Sequence, residues 1–434
     1  MHKLIYCTSS IIMALSLMAL GASGMRLNDQ LEMDFSERFR FKSWDNTITL
    51  DESAEGANTF TRHRTSLGLK WSPDKSFQAY VKLTNEFRHY FVPESRKFSF
   101  HEIVFDQLYI NFKNPFNLPF SLTAGRQNLT LGEGFIMFDG GPLDGSRTMY
   151  FNAVRADWDI NDRHRLTAFY SRQPETDDYL PVMHNQNLSL IEQAEEGFGL
   201  YYTGNKKYFD LQAYFIRKNI DSNESYPVKS EINTPGARLA CAITRELNFI
   251  AEAAAQFGKK GDHNRHSHGG YTYLEYKPAW RCLGRILPYT VKAGGIYLSG
   301  DDPATTDWED WDPMFARWPK WSESYIYTQI NEDGVAYWTN LGSIYAGMSF
   351  KPDNNVNLDL YYYHLAALQP RDEAAVPPAG GGKTRGDLFV GKLSYSFNKN
   401  WTGHLLWEGF IPGNYYFENA DGYSWLRTEL MFKI

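Results

Sequence analysis

The sequence predicts an all-β chain: a transmembrane, antiparallel, up-and-down β-barrel of about eighteen strands. Three observations predict it. Polar and apolar residues alternate in repeated strand-length segments. Short and long connections between those segments take turns down the chain. No run of about 18 apolar residues follows the first two dozen positions, so a helical span is excluded.

Taken in order, residues 1–24 read as a secretory signal. Lys3 supplies the positive start, residues 4–20 the apolar stretch, and Ala22-Ser23-Gly24 a small-residue cleavage site. Cys7 lies too early for a lipid anchor, and the apolar stretch is short for a retained anchor helix. Residues 25–434 then form one barrel domain.

Alternation begins at once. Leu31, Met33, Phe35, Phe39 and Phe41 are apolar, while Glu32, Asp34, Ser36, Arg38 and Arg40 are polar. Successive strand side chains point to opposite faces, so this is a ribbon with one greasy and one wet side. Glu37 interrupts the greasy side and is expected near a membrane interface, where a charge costs little. The pattern returns at 77–87, 107–112, 356–363, 389–397 and 425–434. A soluble sandwich alternates too, and the connections decide against it. Tight turns are expected at 72–75, 114–119, 161–164, 204–206, 245–246, 351–355 and 398–400. Long polar stretches lie between them, at 43–60, 88–100, 128–149, 173–195, 218–234, 258–269, 299–335, 366–385 and 411–421. Such barrels have short periplasmic turns and long outer loops. The stretches 299–335 and 366–385 are expected to be the most open to protease. Residues 374–382 (AAVPPAGGG) read as a loop tip.

Composition agrees. Tyr (28), Phe (29) and Trp (12) are numerous, as two aromatic girdles require. Mean hydropathy is nevertheless -0.48. A net charge of -7 disfavours nucleic-acid binding. Cys241 and Cys282 have no metal-like spacing; one disulfide and two independent strand cysteines are both open readings.

Residues 105–158 carry something more specific. FDQLYINF, AGRQNLTLGEGF and DGSRTMYFNAVRADW together resemble the alginate-export family of outer-membrane barrels. Asn152 stands where that family usually has Asp, and the chain ends on Ile434 rather than an aromatic residue. The resemblance implies an eighteen-stranded monomer in the cell outer membrane, passing an anionic polyuronate through an arginine-lined constriction. Its partners would be that polysaccharide or its oligomers, outer-membrane lipid and lipopolysaccharide, and periplasmic export or uptake proteins. A general or small-solute porin on the same scaffold is the alternative, because fold does not fix function.

An anion channel needs fixed positive charge on the wet face. Strand parity nominates Arg62, Arg64, Lys82 and Arg155 for it; the resemblance adds Arg126 and Arg147. Arginine suits a carboxylate because its planar fork engages both oxygens and keeps its proton. Arg126 shares parity with Leu122 and Ala124, so it faces outward unless a bulge at Gly125 turns it. The bland alternative is that these cations merely pair with Glu86, Asp157 or Glu252. Glu32, Asp34, Asp157, Asp159 and Glu252 are also expected inward, which moderates the positive field. Tyr109, Tyr361 and Tyr363 on the wet face suit either sugar stacking or lumen packing.

Other motifs carry less. His263, His266 and His268 fit a solvated loop. Asp301, Asp302, Asp307 and Asp310 are weak candidates for a structural divalent cation, since their spacing matches no standard calcium loop. No cofactor is otherwise implied. Gly382-Lys383-Thr384 lacks the earlier glycine of a phosphate loop. No nucleophile elbow or catalytic carboxylate pair appears, so no enzyme activity is expected.

Overall fold

A computed structural model describes residues 24–434 apart from 55, 97–101, 139–149, 206–207, 279–280, 283–284, 287, 318–319, 334–337 and 371–375. The signal reading and Arg147 therefore lie outside the described residues.

Eighteen long strands follow one another. They are β1 (Leu31–Trp44), β2 (Asn58–Trp71), β3 (Phe77–Val92), β4 (Ile103–Lys113), β5 (Phe120–Gln127) and β6 (Phe151–Asn161). Then come β7 (His164–Gln173), β8 (Glu195–Asn205), β9 (Phe209–Ile220), β10 (Ser230–Ala242), β11 (Leu247–Lys260) and β12 (His263–Tyr276). The last six are β13 (Tyr289–Leu298), β14 (Leu341–Asp353), β15 (Val356–Ala366), β16 (Thr384–Ser396), β17 (Trp401–Pro412) and β18 (Tyr423–Lys433). Each pairs antiparallel with the next. β18 returns to β1, from Ser36↔Lys433 to Trp44↔Trp425, and closes the barrel. Closure leaves no unpaired sheet edge, the condition for a strand fold to sit in lipid. Phe35 and Ile434 exchange backbone hydrogen bonds of 3.2 and 2.9 Å at the seam, and Phe432 packs beside them.

The predicted alternation sets which face meets what. Leu67, Leu69 and Trp71 project from the barrel, while Arg62 and Arg64 on the same strand are buried inside. Outward aromatics mark two levels: Trp71, Phe112, Trp158 and Phe209 toward the short-turn end, and Phe91, Tyr170, Phe198 and Trp407 toward the other. Glu37 stays on the outward face, where its carboxylate accepts from the Thr65 hydroxyl and approaches His63.

The tight turns are built by side chains that copy backbone hydrogen bonds. Asp74 Oδ1 accepts from the amides of Ser76 (2.7 Å) and Phe77 (3.0 Å). Asn398 does the same for Asn400 (2.9 Å) and Trp401 (3.0 Å), and Thr244 serves the turn into β11. The connection from β12 to β13 is longer and holds a small hairpin of Arg281–Cys282 and Arg285–Ile286. Cys241 is free.

Two expectations need correction. The stretch 258–269 is not a long loop. β11 and β12 run through it to a tight turn at Gly261 (φ 61°). Both faces are polar there, so alternation gives no strand signal. The described part of 299–335 is not an open loop either, being covered except at 303–306 and 331. It folds into the barrel with α1 (Tyr325–Asp333), burying Trp311, Met314, Phe315 and Tyr325. Residues 129–137 join it, with Phe135 stacked on Trp311 at 5.2 Å. The apolar core thus sits inside the long-loop half of the barrel, where inward loops meet wall aromatics.

Candidate functional site

The lumen wall over β18, β1, β2 and β3 is basic because its strands place cations at alternate positions in matched register. Arg38 lies opposite Arg64, and Arg40 opposite Arg62; Arg64 in turn faces Glu86. Glu86 is the hub. It accepts from Arg62 Nε at 2.7 Å and Arg38 Nη2 at 3.1 Å, with Arg64 Nε at 4.0 Å. Asp106 lies 3.5 Å from Arg64 and 2.9 Å from Lys82. A bulge opposite the Lys82–Leu83 step puts Asp106 and Gln107 on the same inward side. Arg40 pairs with Glu429. Five cations therefore share three carboxylates, leaving this wall net positive.

Arg62, Arg64 and Lys82 lie together there, as parity nominated. Arg155 stands apart toward the short-turn end, 2.9 Å from Asp157, in a polar recess of about 340 Å³ with Gln78, Gln107, Tyr109 and Asn111. Arg126 differs from both. It sits opposite Leu108 and Asn152 in unbroken register, so it keeps the parity of Leu122 and Ala124. Gly125 (φ 122°) does not turn it; a Cβ there would lie 2.3 Å from the Leu108 carbonyl oxygen. The Arg126 guanidinium donates to both Asp177 oxygens (3.0 and 2.6 Å) and to Asn152 (2.9 Å), with the Tyr150 ring 3.9 Å away. Arg126 is 2% exposed, enclosed by the loop between β7 and β8.

That contact on the outward face has inward counterparts that parity does not reveal. Inward loops send carboxylates to wall cations. Asp310 reaches Arg265 (3.2 Å), Asp312 reaches Lys218 (3.1 Å), Glu323 forks onto Arg427, and Glu332 meets Arg385. Glu133 meets Arg238 and Lys320, the latter at 2.7 Å, and accepts from the Tyr273 hydroxyl at 2.9 Å. Parity could have nominated Arg38, Arg40 and Arg427. Nothing in a loop's sequence marks Lys320 or Glu323 as inward. Burial alone would raise the Glu133 carboxyl, but Lys320 and Arg238 outweigh it and hold it at about 2. Glu323 is likewise held at about 2, burial being overcome by Arg427.

Within the acidic stretch, Asp310 and Asp312 moor the loop to wall cations. Asp310 goes to Arg265, while Asp301 accepts from the Glu309 amide at 2.8 Å. Asp302 accepts from the Ala304 amide, and Asp307 from Asn264. Among the described residues, no three His, Cys, Asp or Glu gather as a metal site. Tyrosines line other parts of the wall: Tyr201 stacks on Tyr214 at 5.5 Å and Tyr345 on Tyr363 at 5.1 Å. Their edges carry hydroxyls and their faces are apolar, a surface that suits both packing and sugar contact.

The whole barrel has solved counterparts. A BenF-like porin from Pseudomonas fluorescens Pf-5 matches with a TM-score of 0.60 at 10% identity, covering 94% of this chain and 100% of that one. Pseudomonas aeruginosa OccK5 (OpdH) matches at 0.56 and 10% identity, over 95% and 99%. Pseudomonas aeruginosa OpdK, solved with vanillate, matches at 0.55 and 9% identity, over 94% and 98%. At such identities the likeness is one of fold. No curated protein matches. The family model for alginate export matches residues 29–424. Family and fold are those of transport channels, and their place is the cell outer membrane. The chain belongs to the alginate-export family of outer-membrane β-barrels.

Proposed function

We propose that the barrel passes an anionic, alginate-like polysaccharide or its oligomers along the arginine-bearing wall. The observation that carries this is the excess of cations around Glu86 and Asp106, where Arg38, Arg40, Arg62, Arg64 and Lys82 share three carboxylates. Fixed positive charge in a lumen raises the local concentration of carboxylate-bearing solutes. Arg155, in its recess toward the short-turn end, extends the path; Arg126 holds the loop after β7. The protein works as a monomer in lipid and lipopolysaccharide, and periplasmic export or uptake proteins would meet it at the short-turn end.

A second reading has its own support. The inward loops narrow the lumen, which favours small carboxylates over a long chain, and OpdK of similar fold was solved with vanillate. Efflux from proteoliposomes separates them. Short hexuronate oligomers should leave faster than their methyl esters, and an Arg62, Arg64 and Lys82 triple Gln variant should abolish the difference. Equal efflux of acid and ester from the wild type would remove the polyuronate reading and leave a general porin.

A further inference from the structure

The six loop-to-wall pairs are not alike in exposure. Asp177, Asp312 and Glu332 have side chains 1%, 3% and 2% exposed, and Asp310 is 13% exposed. Glu133 and Glu323 are each 27% exposed, while their wall partners Arg238 and Arg427 are 11% and 4%. Four pairs are sealed against exchange. Two keep a carboxylate that water, and hence a solute, can reach.

We propose that Glu133 and Glu323 are internal stand-ins for the carboxylates of the solute, and that the cations they occupy are two uronate-binding subsites. This deepens the polyuronate reading and rests on it. The first subsite is made by Arg238, Lys320 and the Tyr273 hydroxyl. The turn that delivers Glu133 is set by Gly132 (φ 57°) and Gly134 (φ 79°), which place it at the tip of an inward hairpin. Lys320 lies 3.9 Å over the Tyr271 ring, and Tyr271 and Tyr273 stack at 6.2 Å. A carboxylate carried on a pyranose would thus meet a cation pair and an aromatic face together. The second subsite is Arg427, whose fork takes both Glu323 oxygens, with Nη2 to Oε1 at 3.0 Å. Two loop carboxylates on three lumen cations make exchange sequential: an arriving uronate displaces Glu133 or Glu323, and the loop reclaims its cations when the uronate moves on. Loop release and solute capture become one event, so the cations are never left bare.

The experiment is block of single-channel current by a short hexuronate oligomer, with its methyl ester as control. Glu133→Gln keeps a hydrogen-bond acceptor but removes the competing charge. It should lower the half-blocking concentration about tenfold, equivalent to about 1.4 kcal/mol. Arg238→Gln should raise it by a similar factor. Glu323→Gln and Arg427→Gln should act in the same two directions, so misfolding of one pair leaves the other to decide. The ester should respond to none of them. Unchanged block in both Glu→Gln variants, with anion preference and acid-selective efflux retained, overturns the stand-in assignment and leaves the proposed function intact. A wild type that shows no acid-over-ester preference overturns both.

Discussion

At Glu86, two arginines donate to one buried carboxylate and a third lies close by, and the energetics of the wall follow from that single residue. Opposite charges about 4 Å apart interact by about 1 kcal/mol in bulk water and about 4 kcal/mol at the effective dielectric near a protein surface. Removing one partner of a buried pair costs about 3–5 kcal/mol, because the remaining charge stays desolvated. Glu86→Gln is therefore expected to lower barrel stability by about that amount, read as an earlier urea midpoint in tryptophan fluorescence. An unchanged midpoint would mean that water already compensates these arginines. Parity made Arg62, Arg64, Lys82 and Arg155 legible, since period-two alternation fixes the face of every strand residue. Parity was also right about Arg126. What it could not supply was Asp177, which comes from a loop and encloses the guanidinium.

The strands were legible as elements because one face must be apolar and the other need not be. The loops were not, because a polar loop reads the same whether it folds inward or outward. That is why 299–335 reads as open chain, and why α1 has no counterpart in the sequence reading. Above the membrane, β11 and β12 lose the alternation that marks strands elsewhere, so 258–269 reads as loop. Inward folding changes the protease expectation. The connection at 221–229 is exposed almost throughout, whereas 299–335 is largely covered. Trypsin on intact cells should cut first at Lys229, between β9 and β10; a first cut at Lys320 would mean the loop lies outside. The moorings also set a pH response. Glu133 and Glu323 sit at about 2 against an ordinary 4.5. A depressed carboxyl contributes stability that is fully present above its ordinary value and lost as pH falls through the folded one. As both loops lose their ion pairs, these two groups should change conductance between about pH 4 and 2 and contribute no step between pH 7 and about 5. A conductance step centred near pH 6 would require a different titrating group.

For the molecule as a whole, strand count and closure were legible because turns alternate with long connections and an even count returns the chain to its starting side. Closure then fixes function's frame: eighteen strands leave a lumen wide enough for inward loops and a water path. Charge within that frame was only half legible, since the wall cations follow from parity while their loop partners do not. The central claim is that fixed positive charge on the β18, β1, β2 and β3 wall outweighs the lumen acids. The screening length is about 10 Å at 0.1 M salt and about 3 Å at 1 M, so the effect must be largest in dilute electrolyte. The direct measurement is the reversal potential of the wild-type channel in a planar bilayer under a potassium chloride gradient at low salt. A potential displaced toward that of chloride, shrinking as salt rises, is expected. A potential displaced toward that of potassium would contradict it and make Glu32, Asp34 and Asp157 the dominant lumen charges.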